Sequence, residues 1–188
     1  MATNYHIDPD LGSSEGDGTF EDPFESWADL PSMSTSDCVY FKCGTTFEPS
    51  AYLNISWSGT ESNPAVIGAY YSDGGSPAAA VYGVSGARPI IDGNNYTVPN
   101  KTSGGLIQWT AQDYITVQDL HIYEAGGQGI RIIGATDLSA DSTYFVIDNV
   151  KVEGAYQSGI QVYRSSSNYG IIQDCEAVSY THLTLPTN

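Results

Sequence analysis

The chain has 188 residues, of which 22 are acidic and 6 basic, for a formal charge of −16 and a pI near 4.1. Such a surface repels nucleic-acid phosphates and anionic lipid, so neither nucleic acid nor membrane is expected as a partner. A composition of 40% hydrophobic and 15% charged residues excludes a disordered chain, and no apolar run is long enough to span a bilayer.

In chain order, Met1-Ala2-Thr3-Asn4 shows no basic region followed by an apolar stretch, so no signal peptide is visible. Residues 1–22 read as an extension ending in an acidic loop. Asp8, Asp10 and Asp17, with Glu15 and Asp22, supply enough oxygen atoms for calcium, although their spacing is not that of an EF-hand. Asp22-Pro23-Phe24-Glu25 predicts a short helix with Asp22 as N-cap and Pro23 at its first position; Phe24, Trp27 and Ala28 would then plug the end of a core. Three Cys residues without a C-x-x-C pair argue against a cysteine metal site. Cys38 and Cys43 sit at an odd offset and are expected to be free and mostly buried on opposite faces of a strand. Short strands are predicted at Val39–Phe41, Leu53–Trp57, Ala65–Ile67, Pro89–Ile91 and Leu106–Trp109, with Ser72–Pro77 lengthening one connection. An all-β sandwich competes for this first half.

The second half repeats at about thirty residues, within the range of solenoid units. Tyr114–Ile122 superposes on Tyr144–Val152, Gly129–Ile132 on Gly159–Val162, and a third copy begins at Tyr169. Each unit reads as a short alternating strand, an Asp or Asn bend (Asp119, Asn149, Asp174), a second strand, a Gly-containing loop and a third strand. No unit can bury its apolar face alone, so units must stack, and three strands per coil, parallel from coil to coil, make a parallel β-helix.

The run Val178–Thr187 breaks this pattern. It back-translates, codon for codon, into a transposase-end adapter of short-read sequencing libraries. Residues 177–188 are therefore read as adapter-derived, His182 among them, and residues 23–176 as a truncated β-helix domain.

Tyr5-His6-Ile7-Asp8-Pro9, Gly18-Thr19, Pro23-Phe24, Asp37–Phe47, Ser58–Tyr70 and Arg88–Gly93 together resemble the opening coils of pectate-lyase-like right-handed parallel β-helix proteins. The resemblance covers residues 5–176 and implies an all-β solenoid with a short N-terminal capping helix. It also implies a polysaccharide partner and an extracellular or cell-surface location. The first expectation for function is a lyase cleaving a uronic-acid polysaccharide by β-elimination, the fragment itself being inactive; a glycoside hydrolase is the second choice of enzyme. The rivals are a glycan-binding phage tailspike, trimeric and on the virion, or surface adhesin, and a non-enzymatic structural β-helix. Fold alone does not choose among them.

In such folds substrate lies along the strand after the long loop, here Gly129–Ile133 and Gly159–Tyr163. Arg131 is then a candidate for binding or neutralising a uronate carboxylate, with Gln161 and Tyr163 as substrate-binding neighbours. Against this stands a surface Arg that merely holds a loop. Glu124 and Glu153, at matching loop positions, are candidate calcium ligands or plain solvated charges. His121 and Lys151 share a stack on another strand's outer face, where a desolvated Lys beside a His is a candidate base or simply structural. Gly126-Gly127-Gln128-Gly129 precedes a strand rather than a helix and is no phosphate loop.

Overall fold

The computed structural model describes residues 2–101, 104–134, 142–163 and 167–178. In chain order the strands of the first half are β1 (Asn4–Ile7), β2 (Cys38–Lys42), β3 (Thr46–Phe47), β4 (Leu53–Ile55), β5 (Ala65–Ser72), β6 (Ala80–Tyr82), β7 (Ile90–Asp92) and β8 (Gly105–Thr110). The repeats contribute β9 (Ile115–Gln118), β10 (His121–Tyr123), β11 (Gln128–Ile133), β12 (Ser142–Thr143), β13 (Val146–Asp148), β14 (Lys151–Glu153) and β15 (Ile160–Tyr163). The last described coil supplies β16 (Ser167–Asn168), β17 (Ile171–Gln173) and β18 (Glu176–Val178).

The chain visits three parallel sheets in turn. The first is ordered β1-β2-β5-β9-β13-β17, the second β3-β7-β10-β14-β18 and the third β4-β8-β11-β15. The loop strands β12 and β16 form a small fourth pair. The first half joins the same sheets as the repeats, since β2 pairs in parallel with β5 and β5 with β9, so the sandwich alternative falls. One connection departs from the scheme: β5 runs on into an antiparallel hairpin with β6, whose turn is tied by Asp73 Oδ1 accepting from Gly75 and Ala79 N–H, both at 2.9 Å.

Register makes the core. Tyr5, Val39, Ile67, Val117 and Ile147 form one inward column, which Ile172, itself exposed, continues in register. Phe47, Ile91, Ile122 and Val152 form another, and Leu53, Ile107, Ile130 and Ile160 a third. The period-2 alternation of each short strand sends these residues inward and their neighbours out. Between the first two sheets Asp119, Asn149 and Asp174 adopt φ of +62°, +53° and +50°, the left-handed bend their short polar side chains tolerate. The first residue of each repeat was less legible. Tyr114, Tyr144 and Tyr169 are also left-handed and precede the strands; their rings stack nearly parallel at 4.8 and 5.2 Å.

The expected short capping helix starting at Pro23 does not form there. The Phe24 backbone is already committed to β1: its N–H donates to His6 O at 3.0 Å and its carbonyl accepts from Asp8 N–H at 2.9 Å. The Asp22 carbonyl accepts from Gly18 N–H. Helical hydrogen bonding begins only at the 3-10 turn Trp27–Asp29, capped by Ser26 Oγ accepting from Ala28 N–H. Phe24 and Trp27 are nonetheless buried in the main core. Within residues 1–22, read from sequence as an extension, β1 supplies the edge strand of the first sheet and Ile7 is fully buried. Cys38, Cys43 and Cys175 are all free; Cys38 is buried and Cys43 only partly so. Residues 179–188 lie outside the described residues, while Val178 closes β18.

A second, smaller core covers the outer face of the first sheet near β1, built from Cys38, Tyr40 and Tyr70 with Phe20 against them. His6 sits inside it, its ring 4.9 Å edge-on from Tyr70, with Nδ1 3.2 Å from Gly18 O. Burial pushes the His6 imidazole below its ordinary value. The unfolded chain therefore takes up the proton first. The contribution is fully present above the unfolded value and is lost as pH falls through about 6.5 toward the folded value. Thermal melts from pH 7.5 down to 5 should show Tm falling more steeply for wild type than for His6→Gln. Parallel profiles would mean that His6 charges without cost.

Candidate functional site

Two outward faces carry the sequence-predicted residues, and they are separate. On the third sheet, register aligns Asn54, Gln108, Arg131 and Gln161 in one outward column, one residue per coil. Alternation with the buried Ile55, Trp109 and Ile132 fixes their direction. Arg131 Nε donates to Gln161 Oε1 at 3.0 Å, and its guanidinium lies 5.2 Å from the Tyr163 ring centroid. Gln108 Nε2 donates to Asn54 Oδ1 at 3.4 Å, while Gln108 Oε1 accepts from Gly105 N–H at 3.1 Å. Planar amides and a guanidinium repeated at the strand spacing offer paired donors and acceptors along a line, which suits a chain of hydroxyl-bearing rings. Sequence reasoning found Arg131, Gln161 and Tyr163. It missed Asn54 and Gln108, although both share the parity of the outward residues.

On the second sheet, His121 and Lys151 are cross-strand neighbours, as are Tyr123 and Glu153. Lys151 Nζ lies 2.5 Å from Glu153 Oε2, and that contact holds the Glu153 carboxyl below its usual range. His121 Nε2 is buried and lies 3.3 Å from the same oxygen, a contact too loose to count as a well-formed hydrogen bond. Desolvation, then the charge of Lys151, push the His121 imidazole down against the opposing pull of Glu153, so near neutral pH it is uncharged. Arg88 and Asn149, neither of them a site candidate from the sequence, complete this face; an Arg88 terminal nitrogen donates to Asn149 Oδ1. The structure thus joins His121 and Lys151 but puts Arg131 on a different sheet, so the three candidate catalytic residues do not form one constellation.

The candidate metal ligands do not converge. Asp8 accepts from Lys42 at 2.5 Å and from Asp10 N–H at 3.1 Å. Asp17 is held below its usual range by hydrogen bonds from the Thr19 side chain and backbone. Glu124 N–H donates to the Glu153 carbonyl at 2.9 Å, a coil-to-coil backbone contact. The Glu124 carboxylate instead raises the Tyr123 phenol, chiefly by hydrogen bonding. Among the described residues no three Asp, Glu, His or Cys side chains are grouped as a metal site. Gly126 needs its missing side chain for packing: a Cβ there would lie 2.0 Å from Pro99 O.

No protein-family model and no curated protein matches the chain. Among solved structures, a selenomethionine derivative of GH136 lacto-N-biosidase from Eubacterium ramulus matches with TM-score 0.67 and 18% identity, over 93% of this chain and 34% of that one. The native form of that protein gives 0.56 and 17%, over 92% and 41%. A rhamnogalacturonan lyase gives 0.51 and 16%, over 94% and 51%. The chain thus spans between about a third and a half of the length of these proteins, and at such identities the likeness is one of fold: an all-β, β-helix-like stack of parallel sheets.

Proposed function

We infer that this chain is the glycan-binding part of an extracellular polysaccharide-degrading protein built as a right-handed parallel β-helix. Right-handedness follows the strong chirality preference of crossovers between parallel strands. The observation that carries the function is the outward column Asn54–Gln108–Arg131–Gln161 with Tyr163 beside it. The lacto-N-biosidase and rhamnogalacturonan lyase that share the fold are consistent with this class of substrate.

For a uronic-acid polymer, Arg131 would fork the carboxylate and stabilise the negative charge that develops when the adjacent ring proton leaves in β-elimination. His121 and Lys151, on another sheet, cannot act as base there, so among the described residues this column supplies binding and charge neutralisation only. Titration calorimetry with polygalacturonate should show Arg131→Ala weakening binding by about tenfold or more, the scale of one charge-assisted contact. Arg131→Lys should recover only part, because an ammonium cannot fork. Unchanged binding in Arg131→Ala would sink the reading. A second reading, an adhesin that binds glycan without cleaving it, is favoured by one feature: the column carries three amides and a guanidinium and neither carboxylate nor imidazole.

A further inference from the structure

Arg88, in the segment between β6 and β7, reaches across a whole coil. It donates to Asn149 Oδ1 on the bend before β14, and the bend of the intervening coil carries Asp119. Asn149 Nδ2 in turn donates to Asp119 Oδ1 at 2.7 Å, and Gln118 Nε2 donates to Asp119 Oδ2 at 3.2 Å. An ionised carboxylate only accepts hydrogen bonds. Asp119 therefore decides which way the Asn149 amide is turned, and the amide oxygen is left to face Arg88. The guanidinium is thus positioned by a neutral group. Among the described residues no carboxylate lies within ion-pair distance of it. A half-buried cation without a counter-anion loses hydration and gains no charge partner in return.

The space beside it is a cleft of about 360 Å³, lined by Arg88, His121 and Asn149 with Val84, Ala87 and Ile90 as its apolar wall. The wall is anchored, since Gly44 N–H donates to Ala87 O at 2.9 Å and Cys43 Sγ lies 3.5 Å from Gly83 O. His121 also lines the cleft, with its Nε2 buried beneath the surface 3.3 Å from Glu153 Oε2. Two of the chain's six basic residues, Arg88 and Lys151, act on His121 here in a molecule of net charge −16. Lys151 is matched by Glu153, which leaves Arg88 as the unmatched cation.

We propose that this cleft is a carboxylate-binding site, in which Arg88, aimed by Asn149 and Asp119, forks the carboxylate and the His121 ring forms part of the wall beside it. It lies on the outer face of the second sheet, away from the Arg131 column, and does not depend on the glycan-groove reading. The ligand is either a uronate sugar or a small free acid, since both present the same group.

Titration calorimetry on the full chain with galacturonate, galactose and acetate tests the site. Galacturonate should bind and galactose should not, because the two differ in the carboxylate. Arg88→Gln should weaken galacturonate binding by about tenfold or more, in wild type and equally in an Arg131→Ala background, which keeps the outcome separate from the groove. Asn149→Ala should give a smaller loss that Asn149→Gln partly restores, as expected of a positioning residue. Acetate binding as tightly as galacturonate would make the ligand a small acid; weaker acetate binding would place a sugar ring in the cleft. Either supports a carboxylate site. Equal binding of galactose and galacturonate would overturn the proposal. Should Arg88→Gln fail to fold, the His121 imidazole resonances of the unaltered chain decide: a shift with galacturonate and none with galactose is expected, and no shift with either overturns it.

Discussion

Trp109→Ala is expected to lower unfolding free energy by about 3–5 kcal/mol, the usual range for emptying a large aromatic site in a core. Trp109 is fully buried on β8, in register with Ile55 and Ile132, and packs edge-on to Phe145 at 6.3 Å. Its neighbours are backbone-paired on both sides, so the sheets cannot collapse into the void. Trp109→Phe should behave differently. The indole Nε1–H is buried without a hydrogen-bond partner, a situation that costs roughly 1–3 kcal/mol. Replacing the indole by a phenyl ring loses part of the packing but also removes that unsatisfied donor. The two effects oppose, and the net change should stay within about 1 kcal/mol. Urea denaturation of both variants reads the difference directly. A Trp109→Phe variant as damaged as Trp109→Ala would mean that the indole N–H is satisfied in solution, for instance by an internal water.

Lys42→Met should be the other large loss, about 2–4 kcal/mol. Asp8 is only 2% exposed, and its charge is balanced by Lys42 at 2.5 Å. Removing the ammonium leaves a buried carboxylate with little beyond the Asp10 N–H to hold it. The loss is placed below the upper end for buried pairs because Lys42 is itself 31% exposed and already partly solvated. Asp8→Asn combined with Lys42→Met should recover most of the stability, since an amide needs no counter-charge. A double mutant no more stable than Lys42→Met alone would place the cost in packing of the lysine stem rather than in charge.

The backbone geometry of the repeats was legible in the sequence. Asp119, Asn149 and Asp174 recur at one position of a thirty-residue unit, and left-handed bends appear there. Inward and outward assignment of Ile130, Arg131, Ile132 and Gln161 followed from alternation alone, because a strand offers each side chain only two directions. The N-terminal cap was misread for an equally local reason. Asp22-Pro23-Phe24-Glu25 carries a valid helix-start pattern, but the amide and carbonyl of Phe24 bond to His6 and Asp8, and a residue bonded to a strand cannot also start a helix. The repeat offset aligns the tyrosines at the head of each unit but does not show their backbone; stacking of Tyr144 between Tyr114 and Tyr169 accompanies a bend that a single bulky residue seldom adopts.

The candidate sites divide along the same line. Residues one coil apart, such as His121 with Lys151 or Arg131 with Gln161, were paired from the repeat offset, and register brought them together. The meeting of Arg88 with Asn149 could not be read that way, because Arg88 lies in an irregular connection outside the repeat and spans two coils. By itself, then, the sequence determined the coil, its bends and the face each repeated side chain takes, since these depend on short-range sterics and a period of two. Only the tertiary structure decided which sheet each face belongs to, that Arg131 stands apart from His121, and that Arg88 has an amide rather than a carboxylate for a partner. Those depend on where irregular loops close over the stack, which long-range packing fixes and local pattern does not.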